Sequence, residues 1–219
     1  RLYTDYSFMT CDESIGDDVN KLFQQLTGMG KALKIKKLFH APFTLHNRLI
    51  SLIEREAGLG ENGRIIFKFN ALTEPQVINA LYRASQAGAS IDLIIRGICC
   101  LRPQVPGLSE NIRVRSIIGR FLEHTRVYYF GNNGKPDVYC SSADGMERNL
   151  LSRVETAFPI EEPALIERVT EDLNTYLSDN CQSWVLQSDG SYLQNQPEEG
   201  EERLASQLVL LDRLTSKAN

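Results

Sequence analysis

Two hydrophobic periods alternate along the chain. Residues 3–9 predict a short strand, and a helix follows from Ser14 or Asp17. Val19, Leu22, Phe23 and Leu26 lie on its expected inner face, and Gly28 ends it. The basic run 31–37 leads into a short apolar segment, 38–43. Leu45, Leu49, Leu52 and Ile53 recur at helical spacing, so a second helix is expected over 44–57 with Gly58 as its stop. The β-branched and aromatic run RIIFKF, 64–69, predicts a strand. Thr73 is the expected cap of a third helix. Gln76 stands in the capping-box position, Pro75 in the first turn, and Val77, Ile78, Leu81 and Ala84 face inward up to Gly88. Residues 91–95 are apolar except for Asp92, as in a strand covered on both faces. Strand and helix thus alternate, which predicts an α/β fold.

The second half changes pattern. Residues 112–118 begin by alternating apolar and arginine positions, and 124–130 predict a strand. Asn132, Asn133 and Gly134 signal a turn, so 138–142 are expected to return as an antiparallel partner. A further strand over 154–158 and a short one over 183–186 are expected. Between them, 163–177 predict a helix with Leu165, Ile166, Val169, Leu173 and Leu177 inward. The acidic run 198–202 reads as solvated, and a last helix is expected over 204–214.

The 219 residues fit one domain, and 42% apolar content can fill a sizeable core. A net charge of −4 and a pI near 5.5 argue against a general nucleic-acid surface. The five cysteines, Cys11, Cys99, Cys100, Cys140 and Cys181, are odd in number and lack zinc spacing; they are expected to be reduced and buried, as in a cytosolic protein. No apolar run reaches membrane-helix length. Because the chain opens at Arg1 without methionine and at once in a strand pattern, a longer parent protein is expected.

One stretch runs against the acidic balance. From Arg96 to Arg126 there are six arginines, no lysine and only two carboxylates, Glu110 and Glu123. A guanidinium stays charged and matches two phosphate oxygens at once. Each arginine singly suits a surface ion pair; together, with few local acids, they suggest a pocket for a polyphosphorylated anion. His124 and Arg126 are two apart in the expected strand and so share a face, with Ser141, Ser142 and Asp144 emerging near the same end. A histidine beside an arginine and a hydroxyl can serve as general acid or base on a phosphoryl group. His46 reads as structural and His40 as a weak candidate. No Walker A, G-x-G-x-x-G or kinase signature is present.

Three stretches carry a family resemblance: LYTDYSFMT, the long block ALYRASQAGASIDLIIRGICCLRPQVPGLSENIRVRSIIGRFLEHTRVYYF, and YCSSADGMERNL. They closely resemble the C-terminal part of the histidine-phosphorylated polyphosphate kinases. The resemblance implies a phospholipase-D-like α/β fold, a mixed sheet flanked by helices, with 1–219 as a single C-terminal domain. It implies reversible transfer of the terminal phosphate of ATP to polyphosphate, with ATP/ADP and Mg2+, in a homo-oligomer; the acidic pI adds the expectation of no nucleic-acid partner. Tyr3, Arg96 and His124 match the family's nucleotide contacts, and His124 is the candidate catalytic residue. Arg120, Arg126 and Ser142 are candidate phosphate contacts, and no metal ligand is assigned to this chain. The phosphorylated histidine and the magnesium-linked arginines match nothing here and are expected upstream of Arg1. Gly145 stands where an aromatic residue is common. Arg126 replaces the lysine usual in phospholipase-D motifs, which argues against the competing reading of a phosphodiesterase or nuclease half. A non-catalytic polyanion-binding module is the third reading. The expected location is cytoplasmic, with membrane association of the full-length enzyme left open.

Overall fold

The computed structural model describes residues 2–28 and 34–216. In chain order the first elements are β1 (Tyr3–Thr4), α1 (Glu13–Leu26), β2 (Phe39–Ala41), α2 (Leu45–Gly58), β3 (Arg64–Phe69), α3 (Pro75–Gln86) and β4 (Ser90–Ile95). There follow β5 (Ile112–Ile117), β6 (Leu122–Glu123), β7 (Arg126–Phe130), β8 (Asp137–Ser141) and α4 (Glu147–Leu151). The last are β9 (Glu155–Ile160), α5 (Pro163–Leu177), β10 (Ser183–Leu186), β11 (Tyr192–Gln194) and α6 (Ser206–Ser216). Nine strands make one mixed sheet in the order β11-β10-β5-β4-β3-β7-β8-β9-β2, and β1 pairs with β6 in a separate ladder.

The centre of the sheet is parallel, with Ile65 of β3 opposite Ile91 of β4 and Ile91 opposite Ile112 of β5. Strands buried on both faces need apolar residues at nearly every position, which RIIFKF and SIDLII supply. Ile65, Phe67 and Phe69 pack towards Leu49, Ile53 and Leu81 of α2 and α3. On the other face, Ile66, Ile94 and Val127 meet Val169, Leu173 and Tyr176 of α5. Each such fully buried side chain contributes roughly 1.5–3 kcal/mol. Among the described residues no helix is long and apolar enough to cross a membrane.

Several expectations are corrected. Only Tyr3 and Thr4 of residues 3–9 join a ladder, because β6 offers two residues; beyond them Tyr6 hydrogen-bonds Asp172 at 2.7 Å and Phe8 stacks on Phe158. Helix α1 starts at Glu13, capped by Asp12, and buries Ile15, Asp18 and Leu22, leaving Val19, Phe23 and Leu26 exposed. The face turns because Asp18 accepts the backbone amides of Lys36 and Leu38 at 2.9 and 3.1 Å. The start of the basic run, 31–33, lies outside the described residues. Glu74, not Thr73, caps α3, accepting from the Val77 amide at 2.7 Å, since Gly145 O takes the Thr73 and Glu74 amides. The strand expected over 124–130 begins at Arg126. In α5, Leu165 is exposed. Of the cysteines only Cys140 is buried, and Cys11 and Cys100 are exposed.

Candidate functional site

Strands β3 and β4 end side by side, with Phe69 opposite Ile95, so Asn70 and Arg96 leave the sheet together. Gly97 lets them approach: its amide donates to Asn70 O at 2.8 Å, and a Cβ there would lie 2.9 Å from that oxygen. Strand β7 runs antiparallel to β3 and therefore begins at this same end, with Arg126 opposite Ser141 of β8. The turn after β8 brings in Asp144. Four chain segments thus meet beyond the carboxyl ends of the central strands, where α/β sheets place ligands.

A continuous hydrogen-bonded run joins them. Arg96 Nε donates to Asn70 Oδ1 at 3.1 Å, and the Asn70 amide donates to Asp144 Oδ1 at 2.7 Å. Arg126 grips Asp144 with two nitrogens, Nε at 3.2 Å and Nη2 at 3.1 Å. Its third nitrogen, Nη1, donates to His124 O at 3.0 Å and lies 3.1 Å from His124 Nε2. His124 Nδ1 is 2.7 Å from Asp5 Oδ2. A carboxylate can only accept, so this contact assigns the ring proton to Nδ1 and leaves the Nε2 lone pair facing the arginine side. Tyr3 meets the imidazole edge-on, ring centroids 5.0 Å apart. His124 lies between β6 and β7 rather than within a strand, yet it does stand beside Arg126.

The six arginines divide. Arg113 pairs with Asp92 at 2.9 Å and Arg64 with the same carboxylate at 2.5 Å. Burial alone would raise the Asp92 pKa, but these guanidiniums outweigh it and hold the carboxyl below its ordinary range. Arg115 donates to the Leu177 carbonyl, and Arg102 to Ser188 O. Arg113 thus forms an ion pair, as each arginine singly would suit, while Arg102 and Arg115 are held by backbone carbonyls. Arg96, Arg120 and Arg126 stay at the carboxyl end. Arg120 is exposed and lies over Phe121. Arg126 is committed to Asp144 and His124, so it braces the histidine. Arg96 engages only Nε; among the described residues its two terminal nitrogens have no partner, and the buried Asn70 Nδ2 has none either. Ser142 bonds Glu155 of β9 at 2.5 Å and is thereby tied to the neighbouring strand.

His46 is buried 3.2 Å from Glu74, and His40 is buried against Thr44 with burial holding its pKa down; both are structural. Gly145 accepts two amides at the start of α3, and a side chain there would meet Leu72 Cδ1 at 2.8 Å. Close packing thus occupies the space of the usual aromatic. Sequence reasoning missed Asn70 and Asp5. The signals available were position alone: one follows RIIFKF directly, the other closes Y-T-D.

Two cavities flank the run. One of about 270 Å3 is lined by Arg96, Gly97, Ser116, Ile118, Trp184 and Tyr192. The other, about 440 Å3, lies under Tyr3, Asp5 and Glu123 against α5 and α6. A larger groove, about 790 Å3 beside β8 and α5, is lined by none of the candidate residues. Asp5 and Asp144 are each taken up by a cationic or donor group, so this donor set does not fit a magnesium site, and among the described residues no His/Cys/Asp/Glu group could hold a metal.

A family model described as Polyphosphate kinase C-terminal domain 2 matches residues 38–207. The chain belongs to the polyphosphate kinase C-terminal domain family. A polyphosphate kinase of Pseudomonas aeruginosa is 57% identical over 99% of this chain and 32% of its own length. One of Xylella fastidiosa is 54% identical over 98% of this chain and 31% of its own. The chain therefore spans about a third of these polyphosphate kinases. Among solved structures, the polyphosphate kinase of Porphyromonas gingivalis superposes with a TM-score of 0.91 at 38% identity, over 95% of this chain and 32% of that one. A phospholipase D family member, Nuc from Salmonella typhimurium, gives 0.54 at 16% identity over 69% of this chain and 97% of its own, which shows a shared fold. The polyphosphate kinase domain is thus a phospholipase-D-like mixed sheet flanked by helices.

Proposed function

We propose that this chain is the nucleotide-binding C-terminal part of a polyphosphate kinase, as a single domain over 1–219. In this reading it holds ATP while the terminal phosphate moves, reversibly, to polyphosphate by way of a histidine upstream of Arg1. The observation that carries the reading is the hydrogen-bonded run from Arg96 to His124, which among the described residues leaves donors of Arg96 and Asn70 without protein partners at one sheet end. Arg96 takes phosphate oxygens with its terminal nitrogens, its Nε being held by Asn70. Tyr3 walls the site beside His124. Asp5 orients His124 so that Nε2 can accept or return a proton, and Arg126 keeps the ring in place. Arg120 supports phosphate from the same end, and Ser142 is peripheral to it. Magnesium, ATP's usual companion, is assigned to groups outside this chain. Homo-oligomeric assembly and a cytoplasmic location belong to the same proposal and rest on the family resemblance. A phosphodiesterase acting through His124 is disfavoured because Arg126, in place of a lysine, is tied to Asp144 through Nε and Nη2 and to His124 through Nη1.

The test is binding of a non-hydrolysable ATP analogue to the full-length protein, by calorimetry. Arg96→Ala should weaken it by about tenfold or more, the scale of a lost charge-assisted pair. Unchanged affinity in both Arg96→Ala and Tyr3→Ala would overturn the reading.

A further inference from the structure

Beneath the candidate site lies an ion pair that the nucleotide reading leaves without a role. Lys68 of β3 and Glu123 of β6 are 2% and 3% exposed, with Nζ 2.9 Å from Oε2. Lys68 also lies 4.9 Å over the Tyr176 ring and 3.4 Å from Thr125 O. Apolar residues of the same size would stabilise such a place as well or better, because two charges must be stripped of water to form the pair. An apolar residue could not, however, make the directional bonds that Glu123 makes. Its Oε2 also accepts from Thr4 Oγ1 at 2.9 Å, and its Oε1 accepts from Gln207 Nε2 of α6 at 2.7 Å. Burial opposes ionisation of Glu123, but Lys68, Gln207 and Thr4 together hold its carboxyl below the ordinary value.

The neighbours of these residues give the bonds their meaning. Thr4 follows Tyr3, and Glu123 precedes His124. The backbone adds Leu122 N to Leu2 O at 2.8 Å and His124 N to Thr4 O at 3.2 Å. A two-residue parallel ladder is weak on its own. Gln207 also brackets Phe121, donating to its carbonyl at 3.0 Å and accepting its amide at 2.9 Å. Gly119 gives it room, since a Cβ there would lie 2.5 Å from Gln207 Oε1.

We propose that Glu123, neutralised by Lys68, is a positioning residue that locks Tyr3 and His124 in register with each other, and that Gln207 ties this lock to α6. The inference rests on the nucleotide reading of Tyr3 and His124. The test uses the full-length polyphosphate kinase, with the ATP KM, kcat and melting temperature measured for each variant. Thr4→Val removes the Thr4–Glu123 bond, and Gln207→Leu removes the bonds of Gln207 to Glu123 and Phe121, neither stranding a buried charge. Each should raise the ATP KM by about tenfold, with the melting temperature within a few degrees of wild type. Lys68→Met with Glu123→Gln removes both charges at once and should raise KM at least as far. Adding Thr4→Val to Tyr3→Ala/His124→Gln should raise KM no further, because the contacts it positions are already gone. An increment that persists in that background, or unchanged KM in Thr4→Val and Gln207→Leu beside impaired Tyr3→Ala and His124→Gln, would overturn the positioning role alone. Normal KM in Tyr3→Ala, together with normal KM and kcat in His124→Gln, would overturn the nucleotide reading and the positioning role with it.

Discussion

Two side chains carry separable predictions. Arg96 uses Nε on Asn70 and leaves its fork free. Lysine keeps the charge and loses both the fork and the Asn70 bond, so Arg96→Lys in the full-length protein should cost on the order of 2 kcal/mol in transfer, about thirtyfold in kcat/KM. Steady-state ATP-dependent polymer synthesis measures it, and a loss under twofold would point to a purely electrostatic role. His124→Gln divides binding from proton transfer. Glutamine can hydrogen-bond but cannot shuttle a proton. If Nε2 acts as acid or base, kcat should fall by about a hundredfold with ATP binding kept, and if it only holds nucleotide, KM should rise instead. The Asp5 contact at Nδ1 favours the first outcome.

At the scale of elements, Asp92 binds three central strands together. It lies in β4 and takes Arg64 of β3 and Arg113 of β5. Its pKa is depressed in the folded state, so the stability it confers is present above the unfolded value, about 4, and is lost as pH falls through the folded value. Asp92→Asn should therefore destabilise by about 1–3 kcal/mol at pH 7 and by progressively less below about pH 4. Urea melts at pH 7 and pH 3 test this. A difference that stays constant with pH would mean that the carboxylate's charge does not matter. Arg113 lies near the amino end of β5, opposite Asp92, whereas the candidate anion site lies beyond the carboxyl ends of these strands.

For the whole molecule, the nucleophilic histidine is proposed to lie upstream of Arg1. Purified residues 1–219 should fold yet make no polyphosphate from ATP, whereas the full-length protein should. Steady polymer synthesis by the piece alone, followed by gel or by release of ADP, would move the nucleophile onto this chain. Its melting transition should still be cooperative, because the two apolar layers on either face of the sheet lie within it.

Periodicity in the sequence alone determined β3, α2, β4, the hairpin of β7 and β8, and α5. These elements are either amphipathic or buried on both faces, so local pattern and final burial agree. The same pattern, with the family's motif residues, was enough to single out Arg96, His124 and Arg126. What it could not determine was which polar group each buried polar residue would meet. Asp18 turned α1, Glu74 displaced Thr73 as a cap, and Asp92 drew Arg113 into an ion pair at the amino end of the sheet, each through a partner far away in the chain or across a strand. Asn70, Asp144 and Asp5 became parts of one run only when parallel β3 and β4 and antiparallel β7 and β8 brought their ends together. Hydrophobic spacing records which face is buried, because burial is nondirectional and repeats with the backbone. A hydrogen bond depends on angle and on a particular partner, and those exist only once the tertiary structure has formed.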